Sequence, residues 1–278
     1  MELFNQTSIA ISTKVTKSYS SSFFLSTTLL EKNVKQAIHG IYGFVRFADE
    51  IVDTMHDYDK LYLINKFEKD MQEALVQKIS LNPILNSFQL AVNKYDIPNS
   101  YIDAFMKSMK MDIDKKKYNT QAETEEYVYG SANVVGLMCL KVFCYKQDTL
   151  FNELVEPASM LGSAFQKVNF LRDLKADVID LNRSYFPDFE LDKFDEIAKQ
   201  KLIDEIENEF NIALVGLRRL PGRSRLAVLT AYTYYRTLLN KIKHTHANEI
   251  LQKRIRISNS RKLTLMFRAA IEYKLNLI

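Results

Sequence analysis

The sequence has few residues that interrupt or cross-link a chain. Its 278 residues include seven glycines, five prolines, two cysteines and no tryptophan. Glycine and proline break helices and form turns, so their scarcity favours long helices and disfavours a turn-rich β fold. The two cysteines, Cys139 and Cys144, suggest neither a disulfide framework nor a zinc site. They are typical of a protein in a reducing compartment.

The sequence also lacks a long apolar run. The N-terminal stretch MELFNQTSIAISTK has neither the basic segment nor the apolar core of a secretory signal. The most apolar stretch, VVGLMCLKVFCY, is interrupted by Lys141 and falls short of the roughly 18 apolar residues of a membrane-spanning helix. We therefore expect a cytoplasmic protein.

Charge is distributed unevenly along the chain. The net charge is +4, but residues 215–278 contain 14 Lys and Arg against 2 Asp and Glu, a balance of 14 − 2 = +12, which leaves −8 for the remainder. A basic segment of this kind suits nucleic acid, an anionic membrane surface or a phosphorylated substrate. A solvated face is the more general explanation of a charge run.

Apolar residues recur with helical spacing along the chain and make up 47% of it. The sequence shows no internal repeat, no low-complexity linker and no alternating strand pattern. We predict one all-α domain over residues 1–278. The predicted helices cover residues 33–56, 58–78, 81–95, 100–116, 122–145, 149–180, 194–217, 222–245 and 258–277.

The first of two acidic motifs lies in the apolar segment FVRFADEIVD. Asp49 and Asp53 lie one helical turn apart, and Arg46 precedes them on the same face. Like charges at this spacing repel, and burying an unpaired carboxylate is costly, so a cation is expected beside them. Mg²⁺ would supply that charge, because it takes oxygen ligands from one or two carboxylates and from substrate phosphates.

The second motif, AFQKVNFLRDLKAD, repeats the same spacing over three turns. Its polar face carries Gln166, Asn169, Asp173 and Asp177, and its other face is apolar. Two such helices facing each other would form an acidic cleft inside an apolar bundle, where helical proteins build metal sites. We favour a site for a metal ion and a diphosphate, although a solvated, salt-bridged face explains either helix taken alone.

Four segments resemble the squalene/phytoene synthase family, whose members join two prenyl diphosphates head to head. TKSYSSSF, IYGFVRFADEIVD, YVYGSANVVGLM and AFQKVNFLRDLKAD match its motifs, and the two aspartate motifs have the family's separation. Among members, the chain is most similar to bacterial phytoene synthases. The resemblance implies a single-domain helical bundle of the isoprenoid synthase type with a central apolar cavity.

The resemblance also implies a set of functional residues. The implied catalytic residues are Asp49, Asp53, Tyr127, Tyr129, Asp173 and Asp177. The implied substrate-binding residues are Ser18, Ser20, Arg46, Gln166, Asn169, Arg172, Arg183 and Tyr235. The implied metal ligands are Asp49, Asp53, Asn169, Asp173 and Asp177. Helix capping, the ordinary role of a serine at a helix start, is an equal alternative for Ser20.

The implied ligands are prenyl diphosphates and Mg²⁺ or Mn²⁺, with no nucleic acid among the partners. Two geranylgeranyl diphosphates would condense through a cyclopropylcarbinyl diphosphate to phytoene, the first committed step of carotenoid biosynthesis. Farnesyl diphosphate, giving diapophytoene or squalene, is the alternative. Asn133 stands where relatives carry glycine and leaves the chain length open. No NADPH is expected, because phytoene formation ends in proton loss, whereas squalene formation needs hydride.

Other predictions concern residues outside these motifs. The last predicted helix carries an apolar stripe of Leu263, Met266, Phe267, Ala270 and Ile271, which we interpret as core packing, with peripheral membrane contact as the alternative. The four histidines are expected at helix surfaces or helix ends: His39, His56, His244 and His246. A competing hypothesis for the whole chain is a helical binding protein that keeps the fold without turnover.

Overall fold

A computed structural model describes residues 1–180, 183–186 and 194–275 of the chain. These residues form α-helices, two π-helical segments and no β-strand; one isolated bridge pairs Lys117 with Ser184. The π-helical segments are Tyr129–Asn133 and Ala176–Asp180. The α-helices are α1 (Glu2–Tyr19), α2 (Ser21–Thr27), α3 (Lys32–Thr54), α4 (Lys60–Gln77), α5 (Pro83–Tyr95), α6 (Asn99–Asp114), α7 (Gln121–Val128), α8 (Val134–Phe143), α9 (Asp148–Lys175), α10 (Glu196–Leu217), α11 (Gly222–Lys243), α12 (Ala247–Ile250) and α13 (Asn259–Lys274).

The all-α prediction is confirmed, and several helices begin at a residue whose side chain caps the backbone. The side chain of Asp59 accepts a hydrogen bond from the backbone at the start of α4, Asn82 does so for α5, and Asp195 for α10. Pro83 occupies the first turn of α5, where its missing N–H costs nothing. Asn276 and Leu277, which the prediction placed in the last helix, lie outside the described residues.

Three helices, α1, α2 and α12, were not predicted. Helix α1 is rich in hydroxyl side chains, and Ser8, Ser12 and Thr16 form its buried face. The hydroxyl of Ser8 donates to the carbonyl of Phe4, and that of Thr16 donates to the carbonyl of Ser12. Two of the three buried hydroxyls thus find an acceptor within their own helix, which allows small polar residues to be buried, so an apolar periodicity does not reveal this face.

The core consists of two main apolar clusters. One joins α3, α4, α5 and α6, where the ring centroids of Phe44 and Phe88 stack at 3.9 Å. The other joins α9, α10 and α11 and contains Phe170, Phe210 and Leu238. A cavity of about 800 Å³ is lined by residues of α2, α3, α8, α9, α10 and α11, so it lies where the two clusters meet.

The π-helical segment at residues 129–133 packs closely on α6 through Gly130. A Cβ atom on Gly130 would lie 2.0 Å from the Ser108 hydroxyl and 2.4 Å from the Ala104 carbonyl oxygen. Only glycine therefore permits this contact. The contact holds the start of α8 against α6, and π-helical turns of this kind are often found at functional sites.

We expect Gly130→Ala to lower the free energy of unfolding by about 1–3 kcal/mol, because the added methyl group must displace α6. Thermal unfolding followed by circular dichroism measures the effect. Gly136→Ala is the comparison variant and should cost less stability, since its Cβ would lie 3.1 Å from the nearest atom, the Ala158 carbonyl oxygen, instead of 2.0 Å. Equal stability of the Gly130 variant and the wild type would contradict the close approach.

The expectation of a surface position was wrong for His39. This side chain is 1% exposed, and its ring nitrogens are hydrogen bonded to Thr13 at 3.0 Å and to Thr27 at 2.9 Å. Burial, with a smaller contribution from Lys35, lowers the pKa of His39 to about 4. The two threonine hydroxyls satisfy a neutral imidazole, which is why it can be buried on an otherwise apolar face.

The interpretation of the α13 stripe as core packing was also wrong. Leu265 and Ala269 are the buried residues of this helix, whereas Leu263, Phe267 and Ile271 are exposed. The helix packs on α11 with the face opposite to the predicted one. A stripe of apolar residues identifies a helix face but not what covers it.

Candidate active site

The first acidic motif lies at the C-terminal end of α3 and is held by one arginine. The Arg46 guanidinium donates to Asp49 at 2.6 Å and to Glu50 at 2.5 Å, and it lies 4.5 Å from the Tyr19 ring centroid. Burial, followed by repulsion from Asp53, raises the pKa of Asp49 to about 7 despite this arginine. The charge of Asp53 therefore disfavours that of Asp49, as the spacing predicted.

The second motif lies on the last turns of α9 and the π-helical segment that follows. Arg172 donates to both carboxylate oxygens of Asp173, at 3.0 and 2.5 Å. Arg254, from the segment before α13, lies 2.6 Å from the same carboxylate. The Tyr235 hydroxyl donates to the amide oxygen of Asn169 at 3.3 Å. Asp173 thus brings α9 and the basic C-terminal segment together.

Arg183 connects the two motifs. Its guanidinium donates to Asp53 at 3.2 Å, while its backbone N–H donates to the carbonyl of Asp177 at 2.7 Å. The pKa of Asp177 is raised to about 7 by burial, then by Asp173 and, to a smaller extent, by Asp53. The carboxylates of one helix thus act on those of the other, so the motifs belong to one site.

A third buried carboxylate, Asp112 on α6, was missed by the sequence analysis. It accepts a hydrogen bond from the Tyr127 hydroxyl at 2.6 Å, and its other oxygen lies 4.0 Å from the Arg183 guanidinium. Burial raises its pKa to about 7 against the effect of Arg183. Its position among Met106 and Met109 on the apolar face of α6 was the available signal.

The cavity begins beside these motifs and continues into apolar surroundings. Near the motifs it is lined by Arg46, Gln166, Asn169, Arg172 and Tyr235. The basic C-terminal segment adds further polar and cationic groups to this end: Arg254, Arg256, Asn259 and Lys262. The rest of the wall is predominantly apolar and includes Ile38, Ile41, Val135, Leu140, Phe143, Leu154, Leu161, Leu217 and Leu220.

Several predicted residues lie elsewhere than the motifs implied. Ser18 is exposed on α1 and does not line the cavity; Ser20, Ser21 and Ser22 do. Ser20 caps α2 and accepts a hydrogen bond from the Phe23 N–H at 3.3 Å. This is the capping role that was the alternative to substrate binding for Ser20.

The two predicted tyrosines, Tyr127 and Tyr129, have different environments. Tyr127 is 3% exposed and packs in an aromatic cluster with Tyr118 and Tyr185, at ring-centroid distances of 5.0 and 5.1 Å. Tyr129 is 44% exposed. Neither lines the cavity. The tyrosine that does so among the predicted residues is Tyr235, whose ring stacks on Phe165 at 4.0 Å.

The donor groups of the two motifs suit a hard divalent cation. They are carboxylate and amide oxygens, and burial together with the neighbouring carboxylates raises the pKa values of Asp49 and Asp177, so a further cation at this position would be stabilising. Within residues 1–180, 183–186 and 194–275, no three His, Cys, Asp or Glu side chains converge on one point. A cation with few protein ligands takes the remainder from water and phosphate, which is the usual environment of Mg²⁺.

Sequence and structure comparisons agree on one group of proteins. The family model described as squalene/phytoene synthase matches residues 16–261. The chain is 24% identical to a 4,4'-diapophytoene synthase of Staphylococcus haemolyticus, over 94% of this chain and 95% of that protein. It is 25% identical to a 15-cis-phytoene synthase of Enterobacter agglomerans, over 90% and 91% of the two chains. A crystal structure of a dehydrosqualene synthase in complex with ligand has the same fold, with a TM-score of 0.83, 23% identity and coverage of 97% and 98%.

Proposed function

This chain belongs to the squalene/phytoene synthase family, a family of prenyltransferases that join two prenyl diphosphates head to head, and we propose that its substrate is geranylgeranyl diphosphate and its product phytoene. One observation carries the proposal. A single cavity of about 800 Å³ joins an end lined by arginines and flanked by carboxylates to an apolar interior. An amphiphile with a diphosphate head and a long hydrocarbon chain matches both ends.

The diphosphate would be bound at the arginine-lined end. Arg46 and Arg172 line the cavity while each is also bonded to a carboxylate of its own motif. Planar guanidinium groups bind phosphate oxygens through paired hydrogen bonds. Gln166 and Asn169 add amide groups at the same end, and the Ser21 and Ser22 hydroxyls can donate to phosphate oxygens.

The motif carboxylates would hold the metal ions that accompany the diphosphate. We assign this role to the carboxylates of Asp49 and Asp53 on one side, and to the amide oxygen of Asn169 with the carboxylates of Asp173 and Asp177 on the other. Bound Mg²⁺ would neutralise the negative charge of the departing diphosphate. With a cation on the carboxylates, the arginines that now neutralise them become available to the diphosphate.

The reaction would proceed through two ionisations. Loss of diphosphate from one molecule leaves an allylic cation, which the double bond of the second molecule attacks; loss of a proton closes the cyclopropane. The cyclopropylcarbinyl diphosphate then ionises, rearranges to the 1-1′ linkage and loses a proton. All four histidines of the chain lie within the described residues and none lines the cavity, so we assign proton acceptance to released diphosphate.

The cavity wall would protect these cations from water. Apolar residues exclude solvent, and an aromatic face attracts a cation within about 6 Å. Phe165 and Tyr235 stack on each other and both line the cavity. We assign cation stabilisation to this pair. Tyr127 takes a different role, which is to hold Asp112 beside Arg183.

The cavity is long enough to hold an extended geranylgeranyl chain. Arg172 and Leu154 both line it, and they are separated by eighteen residues of α9, or about 27 Å at a rise of ~1.5 Å per residue. An extended geranylgeranyl chain of fifteen main-chain bonds spans about 18 Å, at the ~1.2 Å per bond of an extended peptide. Farnesyl diphosphate is the second candidate, favoured by the similarity to a 4,4'-diapophytoene synthase.

The test compares both substrates with the purified protein. Geranylgeranyl or farnesyl diphosphate is incubated with Mg²⁺, with and without NADPH, and hexane extracts are analysed by mass spectrometry. We expect phytoene without NADPH, and a kcat/KM at least about tenfold higher for geranylgeranyl diphosphate, because additional apolar contacts favour the longer chain.

Preferential formation of diapophytoene or squalene would overturn the substrate assignment and retain the reaction type. Absence of hydrocarbon with Mg²⁺, Mn²⁺ and either substrate would favour the helical binding protein. Omission of the divalent metal serves as the control for both substrates.

A further inference from the structure

Helix α13 exposes a continuous apolar face. Leu263, Phe267, Ile271 and Leu275 are 47%, 64%, 58% and 61% exposed. The first three follow one another at intervals of four residues and lie on one side of the helix, and Leu275 comes directly after the last residue of α13. The other side carries its buried residues, Leu265 and Ala269. Exposed apolar faces of this kind usually mark an interaction surface.

The protein holds α13 without using this face. The Tyr273 hydroxyl donates to the carbonyl of Gly222 at 3.2 Å, and the Arg225 guanidinium lies 4.7 Å from the Tyr273 ring centroid. At the other end, the Lys262 amine donates to the Ser21 hydroxyl at 2.8 Å. The contacts that anchor the helix therefore come from its inner side, and the apolar outer face is not required for them.

Positive charge surrounds the apolar face. Arg261, Arg268 and Lys274 are exposed on α13, and its one acidic residue, Glu272, is paired with Arg268 at 2.6 Å. An open groove at the start of the helix is lined by further polar and basic residues: Lys241, His244, Arg256 and Arg261. Two copies of this face brought together would place like charges opposite each other.

We propose that the outer face of α13 docks on an anionic phospholipid bilayer. Its apolar side chains would enter the boundary between headgroups and acyl chains, and its basic side chains would lie at the lipid phosphates. Asn259 and Lys262 of the same helix line the cavity. Docking would therefore hold the cavity within about one helix diameter, ~10–12 Å, of the lipid. If the proposed function holds, the lipid is where the prenyl substrate and the hydrocarbon product reside.

Vesicle flotation with the full chain tests the proposal without any substrate. We expect the protein to float with vesicles of phosphatidylcholine and phosphatidylglycerol in a ratio of 3:1, to bind pure phosphatidylcholine weakly, and to dissociate as salt rises. Phe267→Ser combined with Ile271→Ser should weaken binding about tenfold or more, because apolar area no longer leaves water. Arg261→Ala and Lys274→Ala should each weaken binding to the anionic vesicles about fivefold.

Val76→Ser combined with Leu81→Ser is the matched control, since these apolar residues are 77% and 92% exposed and lie far from α13 in the sequence. This variant should float like the wild type, and all variants should keep the wild-type circular dichroism spectrum. Three results would overturn the proposal: no flotation of the wild type with anionic vesicles at low salt, unchanged flotation of the Phe267 and Ile271 variant, or a dimer in sedimentation that this variant dissociates. Failure to make hydrocarbon would overturn the proposed function and leave the vesicle result intact.

Discussion

Asp173→Asn is expected to lower kcat about a thousandfold and to leave the fold intact. Removing one preorganised group that stabilises charge in the transition state typically costs about 10²–10³ in rate. Asp173 also positions two arginines, because Arg172 and Arg254 both form ion pairs with it. Its loss weakens metal binding and the arrangement of both arginines. Hydrocarbon formation at saturating Mg²⁺, with the substrate that the wild type uses, measures the effect.

Asp53→Asn, on α3, is expected to lower kcat about as much, because Asp53 is a proposed metal ligand of the other motif. Asp70→Asn is the control, since Asp70 is a partly exposed carboxylate that pairs with Lys66 on α4 and lies outside both motifs. It should keep wild-type rates. Near-normal turnover by a well-folded Asp53→Asn and Asp173→Asn double variant would mean that the two motifs are surface charge and that the site lies elsewhere.

Arg183→Met is expected to lower the free energy of unfolding at pH 8 by about 3 kcal/mol, the lower end of the range for leaving a buried charge unpaired. Arg183 contacts Asp53, Asp112 and Tyr185, and the side chain of Asp112 is 3% exposed. Without the guanidinium, Asp112 must ionise in an apolar environment or keep its proton. Chemical denaturation at pH 5 and pH 8 measures the effect.

The pH dependence of this loss has a definite sign. Burial raises the pKa of Asp112 to about 7 in the folded protein, above its ordinary value of about 3.9 in the unfolded chain. The proton it holds therefore stabilises the fold at low pH, and this contribution is lost as pH rises through 7. Arg183 lowers the pKa of Asp112, so removing Arg183 raises that pKa further and enlarges the stability that is lost at high pH. The variant should therefore be destabilised more at pH 8 than at pH 5.

A second substitution distinguishes charge neutralisation from simple packing. Asp112→Asn in the Arg183→Met background removes the buried charge and should restore much of the lost stability at pH 8. Lys66→Met, which removes an exposed cation paired with Asp70, should change stability little at either pH. Equal destabilisation at both pH values, with no rescue by Asp112→Asn, would mean that Arg183 contributes through packing alone.

The two motifs illustrate what spacing can and cannot predict. The interval between Asp49 and Asp53 placed both carboxylates on one helix face, and the neighbouring carboxylate does raise the pKa of Asp49 as that spacing implied. Asp112 was not predicted because it is a single carboxylate on an apolar helix face, with no second acidic residue one turn away. Its partners Tyr127 and Arg183 are 15 and 71 residues away in sequence.

The sequence by itself determined the fold class, the positions of most helices and the family, because these follow from local periodicity, scarce helix breakers and short motifs. Only the tertiary structure decided which faces are covered: that His39 is buried between two threonines, that α1 packs through hydroxyl side chains, and that the apolar stripe of α13 faces outward. The physical reason is that periodicity describes one helix at a time. Burial depends on what the neighbouring helices, distant in sequence, place against it.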